Sequence, residues 1–137
     1  MPKIIERPEY LDQLIHFREK QLIKVVTGIR RCGKSTLFDL YCDYLRGQGV
    51  EERQIIRINL EDPDYHDIQD YLSLYQLISR QLLPEKMNYI FIDEVQNVPQ
   101  FQKAVDGLFI KNNCDVYITG SNAFLLSGEL ATLLSGR

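Results

Sequence analysis

The stretch VVTGIRRCGKSTL, Val25 to Leu37, contains the pattern GxxxxGK[ST] from Gly28 to Ser35. A β-branched apolar run precedes the pattern and a helix-like segment follows it, which is the context that a phosphate-binding loop requires. Glycines let such a loop curl so that its N–H groups point inward at an anion. The following helix adds free N–H groups and the positive end of its dipole. The stretch therefore predicts a loop that holds the phosphates of a nucleotide.

The loop residues have distinct expected roles. Lys34 can reach the β- and γ-phosphates as a point charge, and Ser35 can place its hydroxyl on Mg²⁺. Arg30 and Arg31 exceed what a phosphate cradle needs. They raise the local positive potential, pair with acidic residues or reach a neighbouring subunit, and the sequence leaves these alternatives open. The predicted cofactor-binding set is Gly28, Ile29, Arg30, Arg31, Cys32, Gly33, Lys34, Ser35 and Thr36.

Apolar runs predict the strands of the fold. They are LIKVVTG (Leu22 to Gly28), IIRINL (Ile55 to Leu60), YIFID (Tyr89 to Asp93) and VYITG (Val116 to Gly120). Such nearly continuous apolar runs are typical of strands that are covered on both faces. Helical periodicity marks the segments between and around them, so we expect an α/β fold with a parallel sheet and right-handed crossovers.

The predicted helices follow from apolar spacing and from Pro and Gly signals. They are Pro8 to Glu19, the segment after the loop through Leu45, Ile68 to Leu82, a helix opened by Pro99, and Asn122 to Leu134. The last of these leads to no further strand. We therefore expect residues 1–137 to form one nucleotide-binding domain that lacks its C-terminal part.

A second candidate site is the stretch NYIFIDEVQN. Its apolar residues place Asp93 at the end of a strand, where an open α/β sheet binds its ligands. Asp93 is expected to hold Mg²⁺ through a water molecule, and Glu94 to orient and deprotonate a water that faces the γ-phosphate. A carboxylate for the metal alone would suffice for a kinase or a switch, so the adjacent glutamate favours hydrolysis.

Two asparagines also follow apolar strands. Asn59 closes IIRIN, and Asn122 lies just past VYITGS. If the strands are parallel, these polar ends cluster on one edge of the sheet. Asn122 or Ser121 could then bind the γ-phosphate or the attacking water, and Asn59 could hold Glu94. The alternative for each asparagine is a helix cap or a turn residue.

The composition bounds the class of protein. The chain has 137 residues, 45% of them hydrophobic, which suits one domain with a buried core. A net charge of −3 gives no basic footprint and leaves nucleic-acid binding open. The three cysteines form no CxxC pair, which favours reduced thiols in the cytoplasm. We expect neither a signal peptide nor a membrane span, because no apolar run approaches ~18 residues.

These motifs together resemble the ATP-binding domain of AAA+ type ATPases. The similar stretches are VVTGIRRCGKSTL, INLED, YIFIDEVQ, ITGSNAFLLSGELATLLSGR and the lead-in IIERPEYL, which run over nearly the whole chain. More narrowly, they look like the bacterial and archaeal AAA ATPases in which this domain precedes a C-terminal domain of unknown function. The resemblance implies a P-loop NTPase fold in three layers with sheet order 5-1-4-3-2, of which the fifth strand is absent from this sequence.

The resemblance also implies ATP and Mg²⁺ as cofactors and assigns roles to matching positions. Asn122, or Ser121 beside it, matches the first sensor, and Asn59 matches the residue that switches the catalytic glutamate. Arg137 lies where such proteins often carry an arginine that acts on a neighbouring subunit's nucleotide, which implies a homo-oligomer assembled through the nucleotide site. Residues Ile4 to Tyr10 lie where the family covers the adenine.

Other classes of nucleotide-binding protein share some of these motifs. A small-molecule kinase would need an acceptor pocket and an arginine-bearing lid, and a GTPase would need an NKxD-type motif, but the sequence has none of these. DEVQ also resembles the DExQ box of DNA helicases, although the interval between Lys34 and Asp93 leaves little room for further helicase motifs. A nucleotide-dependent switch or scaffold with little turnover is the remaining alternative.

Overall fold

A computed structural model describes residues 11–12, 14–20, 23–26 and 31–120, with side chains in the last range described from residue 37 onward. Its strands are β1 Lys24–Val26, β2 Ile55–Asn59, β3 Asn88–Asp93 and β4 Cys114–Thr119. They form one parallel sheet in the order β1-β4-β3-β2. This confirms the predicted α/β fold, and the order agrees with the one that the resemblance implies for its first four strands.

Helices cover both faces of this sheet, which gives three layers. Helix α1 spans Arg31–Gly47 and packs on one face, whereas α2 (Tyr71–Ser79) and α3 (Phe101–Phe109) pack on the other. Residues 11–12 and 14–16 are also helical. The face under α1 is aromatic: the Phe91 ring stacks on Tyr117 at 4.8 Å and meets Phe38 edge-on at 5.1 Å. The opposite face is built from Ile56, Ile58, Ile90, Ile92, Val116 and Ile118.

The helix ends differ from those that periodicity predicts. Helix α2 begins only at Tyr71, because the side chain of Asp70 accepts a hydrogen bond from the Ser73 N–H at 2.8 Å and caps the helix there. Pro99 does not open α3, since Gln100 adopts a left-handed conformation (φ 56°) that separates it from the helix. The predicted helix Asn122 to Leu134 lies outside the described residues.

A buried polar network occupies the amino edge of the sheet, where the strands begin. The Lys24 ammonium and the Asp115 carboxylate form an ion pair with an N–O distance of 2.6 Å, and both side chains are almost fully buried. Asp115 also accepts hydrogen bonds from the Glu19 N–H and from the Tyr117 hydroxyl, each at 2.7 Å. The Tyr117 hydroxyl lies 2.7 Å from the Tyr41 hydroxyl, which joins α1 to this network.

Candidate functional site

The carboxyl edge of the sheet brings together the polar residues that end the strands. Asn59 lies opposite Asp93 in the register of β2 and β3, and β4 ends beside them at Thr119. On the far side of β4, β1 ends at Val26, and residues 27–30 connect it to the start of α1. The start of α1 therefore belongs to the same edge, as an open α/β site requires.

Asp93 is buried, and other strands hold both of its carboxylate oxygens. The Thr119 hydroxyl donates to Oδ1 at 3.0 Å, and Nη2 of Arg57 donates to Oδ2 at 2.9 Å. Only 3% of the residue is exposed, so these two contacts replace most of the water that an exposed carboxylate would bind. They fix the direction of the carboxylate and balance its charge.

Glu94 adopts a backbone conformation that is unusual for its residue type. Its φ and ψ of 58° and 52° lie in the left-handed region, which costs a non-glycine residue roughly 1–2 kcal/mol. Its N–H donates to the Thr119 hydroxyl oxygen at 3.0 Å, and its Oε1 accepts from Nε2 of Gln96 at 2.9 Å. Thr119 thus bonds to both acidic residues, and strain of this kind clusters at functional sites.

Asn59 occupies the position at the strand end that the sequence predicts, but its contact is local. Its Oδ1 accepts a hydrogen bond from the Glu61 N–H at 3.0 Å, which is the turn role left open above. The hydrogen bond to the Glu94 carboxylate described above comes from Gln96, two residues further along the chain. The role of Asn59 as a switch for Glu94 therefore stays a prediction.

The phosphate motif lies only partly within the described residues. The backbone from Arg31 through Thr36 is helical, so the second half of the motif forms the first turns of α1. Side chains of that segment, among them Cys32, Lys34 and Ser35, lie outside the description. Gly28, Ile29, Arg30, Ser121, Asn122 and Arg137 lie wholly outside the described residues.

The oxygen ligands predicted from the sequence, the Ser35 hydroxyl and the Asp93 carboxylate, would suit magnesium better than a softer metal. In the described part of the chain, no group of three or more His, Cys, Asp or Glu residues could hold a metal ion by itself. Cys42 and Cys114 are free thiols, and burial raises the pKa of each to about 11. A single carboxylate with hydroxyls and phosphate oxygens is the oxygen-only environment that Mg²⁺ prefers.

The sequence did not predict a site role for three residues that bond to the acidic residues of this edge. Arg57 was the one charge inside the apolar run IIRINL, and a charge there needs a partner across the sheet. Thr119 was a polar residue at the end of VYIT, and Gln96 stood within DEVQ. All three positions were visible in the sequence. The partner that Arg57 and Thr119 share depends on the register of three strands, whereas Gln96 bonds to Glu94 within the turn that follows β3.

Comparison with known proteins finds relatives that are longer than this chain. An uncharacterized protein of Haemophilus influenzae is 47% identical over 135 residues, which are 98% of this chain and 34% of that protein. An uncharacterized protein of Methanocaldococcus jannaschii is 32% identical over 120 residues, which are 84% of this chain and 24% of its own length. The chain thus spans about a third of the length of the first relative and about a quarter of the length of the second.

Helices within residues 11–12, 14–20, 23–26 and 31–120 are too short or too polar to cross a membrane.

The sequence pattern of the AAA domain family matches residues 20–137, which include the phosphate motif and both acidic residues of the carboxyl edge. This match is typical of a nucleotide-binding, ATPase-type domain, and the chain belongs to the AAA domain family.

Proposed function

We propose that this chain binds ATP together with Mg²⁺ and hydrolyses it. The observation that carries the proposal is the pair of consecutive buried carboxylates, Asp93 and Glu94, at the carboxyl edge of the sheet. The Asp93 carboxylate accepts a hydrogen bond from the Thr119 hydroxyl, the Glu94 N–H donates one to the same hydroxyl, and both acids stand at the same edge as the start of α1. A metal carboxylate followed directly by a second acid is what hydrolysis needs beyond binding.

The binding half of the reaction is assigned to the phosphate motif. The N–H groups at the start of α1 and the charge of Lys34 would hold the β- and γ-phosphates. Ser35 and Asp93 would hold the metal, Asp93 through a water that its fixed carboxylate orients. Bound Mg²⁺ would supply charge neutralisation between the β- and γ-phosphates.

Glu94 is assigned the role of general base. Its backbone is fixed by the bond to Thr119 and its carboxylate by Gln96, so the acid is held beside Asp93. From there it would orient a water toward the γ-phosphate and take its proton. A positioned base contributes about 10²–10⁴-fold to a rate.

Two substitutions test this function. Lys34→Ala should remove most of the affinity for a non-hydrolysable ATP analogue in calorimetry, because it deletes the charge that faces the phosphates. Glu94→Gln should keep that affinity and reduce ATP turnover by about 10²-fold or more. Unchanged affinity in Lys34→Ala would refute the assignment of the phosphate site.

A second candidate is a nucleotide-dependent switch or scaffold that turns over little ATP. The observation in its favour is that Glu94 is only 6% exposed while its Oε1 already accepts a hydrogen bond from Gln96. For such a switch Glu94→Gln would lose little in its response to ATP.

A helicase-like motor is a third possibility. Its turnover would rise on addition of DNA, so the ATP turnover assay with and without DNA tests it.

The remaining roles concern assembly and sensing of the γ-phosphate. Asn122 or Ser121 would contact the γ-phosphate or the attacking water, and Arg137 would act on ATP bound to a neighbouring copy. Arginines in this role contribute about 10³-fold or more to phosphoryl transfer. Mixing Arg137→Ala with Glu94→Gln subunits should restore activity that each variant lacks, since some interfaces then combine an intact glutamate with an intact arginine. Normal turnover of Arg137→Ala alone would remove the arginine from the mechanism.

A further inference from the structure

Arg57 is a charged residue in the middle of β2, and its side chain reaches across the face of the sheet that α1 covers. Three quarters of the side chain is buried, since 25% is exposed. Its guanidinium lies over the Phe38 ring, 5.4 Å from the ring centroid, in a cation–π contact. The planar group is therefore held in one orientation between α1 and the sheet.

The guanidinium joins two carboxylates that belong to different elements. Nη2 donates to Oδ2 of Asp93 at 2.9 Å, and Nη1 donates to Oδ1 of Asp39 on α1. Burial opposes the charge of Arg57, but the hydrogen bonds to Asp39 and Asp93 outweigh it and raise the pKa of the guanidinium. Arg57 thus stays charged between the two acids.

The two elements that Arg57 joins are the two that carry the predicted metal ligands. Asp39 lies one turn along α1 from Ser35, and Asp93 ends β3. A contact between an arginine and the exposed Asp39 contributes little to stability by itself. Its effect is instead geometric, because it ties the helix that bears Ser35 to the carboxylate of Asp93.

We propose that Arg57 is a positioning residue that sets the distance and orientation between the two halves of the magnesium site, Ser35 on α1 and Asp93 on β3. The proposal rests on the function proposed above. It predicts that Arg57 matters for the part of nucleotide affinity that Mg²⁺ adds. Groups that orient metal ligands from behind typically change metal affinity about 10- to 100-fold when they are removed.

The experiment compares nucleotide affinity with and without the metal. Calorimetry with a non-hydrolysable ATP analogue gives one dissociation constant in EDTA and one in excess Mg²⁺. The constant in EDTA divided by the constant in Mg²⁺ is the ratio that measures the contribution of the metal. Arg57→Gln should reduce this ratio about 10-fold or more while leaving the affinity in EDTA within about twofold. Arg57→Lys should also reduce it, because an ammonium lacks the planar fork that joins two carboxylates.

Arg46, on α1 like Asp39, offers a matched control for Arg57. It also bonds to two carboxylates, Asp43 and Glu52, but it is exposed and makes no contact with Asp93. Arg46→Gln should leave the ratio unchanged, whereas Asp39→Asn should lower it in the same direction as Arg57→Gln. If Arg57→Gln does not fold by circular dichroism, Arg57→Lys and Asp39→Asn supply the test.

The outcomes separate this proposal from the function on which it rests. An unchanged ratio with a lower melting temperature would make Arg57 a structural residue and overturn the proposal. A higher ratio would mean that Arg57 competes with the metal, which also overturns it. Absence of nucleotide binding in the unsubstituted protein would overturn the proposed function and this proposal together.

Discussion

The two edges of the sheet use the same chemistry for different ends. Each buries a carboxylate against a cation and a hydroxyl: Asp115 with Lys24 and Tyr117 at the amino edge, Asp93 with Arg57 and Thr119 at the carboxyl edge. At the amino edge the cation makes a further hydrogen bond within the protein, since the Lys24 ammonium also donates to the Lys20 carbonyl at 2.8 Å.

The carboxyl edge differs in what lies beyond the buried pair. Arg57 is shared with Asp39, whose side chain is 68% exposed, and Asp93 is followed by the strained Glu94. The pair therefore adjoins solvent and the start of α1. The comparison teaches that a buried ion pair serves stability where its surroundings are closed, and can serve binding where they are open.

The largest expected effect is on the closed edge. Asp115→Asn leaves the Lys24 ammonium buried without its counter-charge, which should lower the free energy of unfolding by about 3–5 kcal/mol. Urea unfolding measures this. The double variant Lys24→Met with Asp115→Leu should recover part of the loss, because no charge is then buried, although the Tyr117 hydroxyl and the Glu19 N–H lose their acceptor. A loss under about 1 kcal/mol in Asp115→Asn would show that this edge is not closed to water.

The corresponding change at the open edge should affect ligand binding more than stability. Asp93→Asn should weaken Mg²⁺-dependent binding of an ATP analogue about 10- to 100-fold, since an amide holds the metal's water less well. Its unfolding free energy should fall by less than that of Asp115→Asn, because Arg57 retains Asp39. The same urea and calorimetric series tests both, and a larger stability loss in Asp93→Asn would invert the comparison.

High pH should weaken the amino edge through Tyr89. The pKa of Tyr89 is raised to about 12, chiefly by burial and next by a hydrogen bond to Glu19. Because the folded-state pKa exceeds the ordinary value of about 10, this stabilisation is complete below pH about 10 and is lost as the pH rises toward 12. The difference in unfolding free energy between the protein and Tyr89→Phe should therefore shift in favour of the variant above pH about 10. A difference independent of pH would contradict this.

The smallest effect is expected for the phenol that connects α1 to the amino edge. The single proton of the Tyr117 hydroxyl goes to Asp115, so Tyr41 must be the donor in the contact between the two phenols. Tyr41→Phe removes that donor while Tyr117 keeps Asp115, so the loss should be about 0.5–1.5 kcal/mol by urea unfolding. A loss as large as that of Asp115→Asn would mean that the whole network depends on Tyr41.

The sequence predicted the sheet well because its signals are local. Four apolar runs, each rich in β-branched or aromatic residues, coincide with the four strands, and the runs predicted that Asp93 ends one of them. Helix ends were predicted less well, because single capping contacts such as that of Asp70 override periodicity. The partners of Asp93 were beyond prediction, since Arg57 and Thr119 approach it only in the folded register.

Helix α1 is tied to the sheet at two points along its length. Asp39 is joined through Arg57 to β3. Tyr41, two residues further along the helix, is joined to Tyr117 of β4. A slide of the helix along its axis by one residue, about 1.5 Å, would lengthen or misalign both hydrogen bonds. We therefore expect that α1 does not slide along its axis when a phosphate binds at its first turn. Any signal that leaves the site should travel as a rotation or a bend of the helix, with its two ties as the pivots.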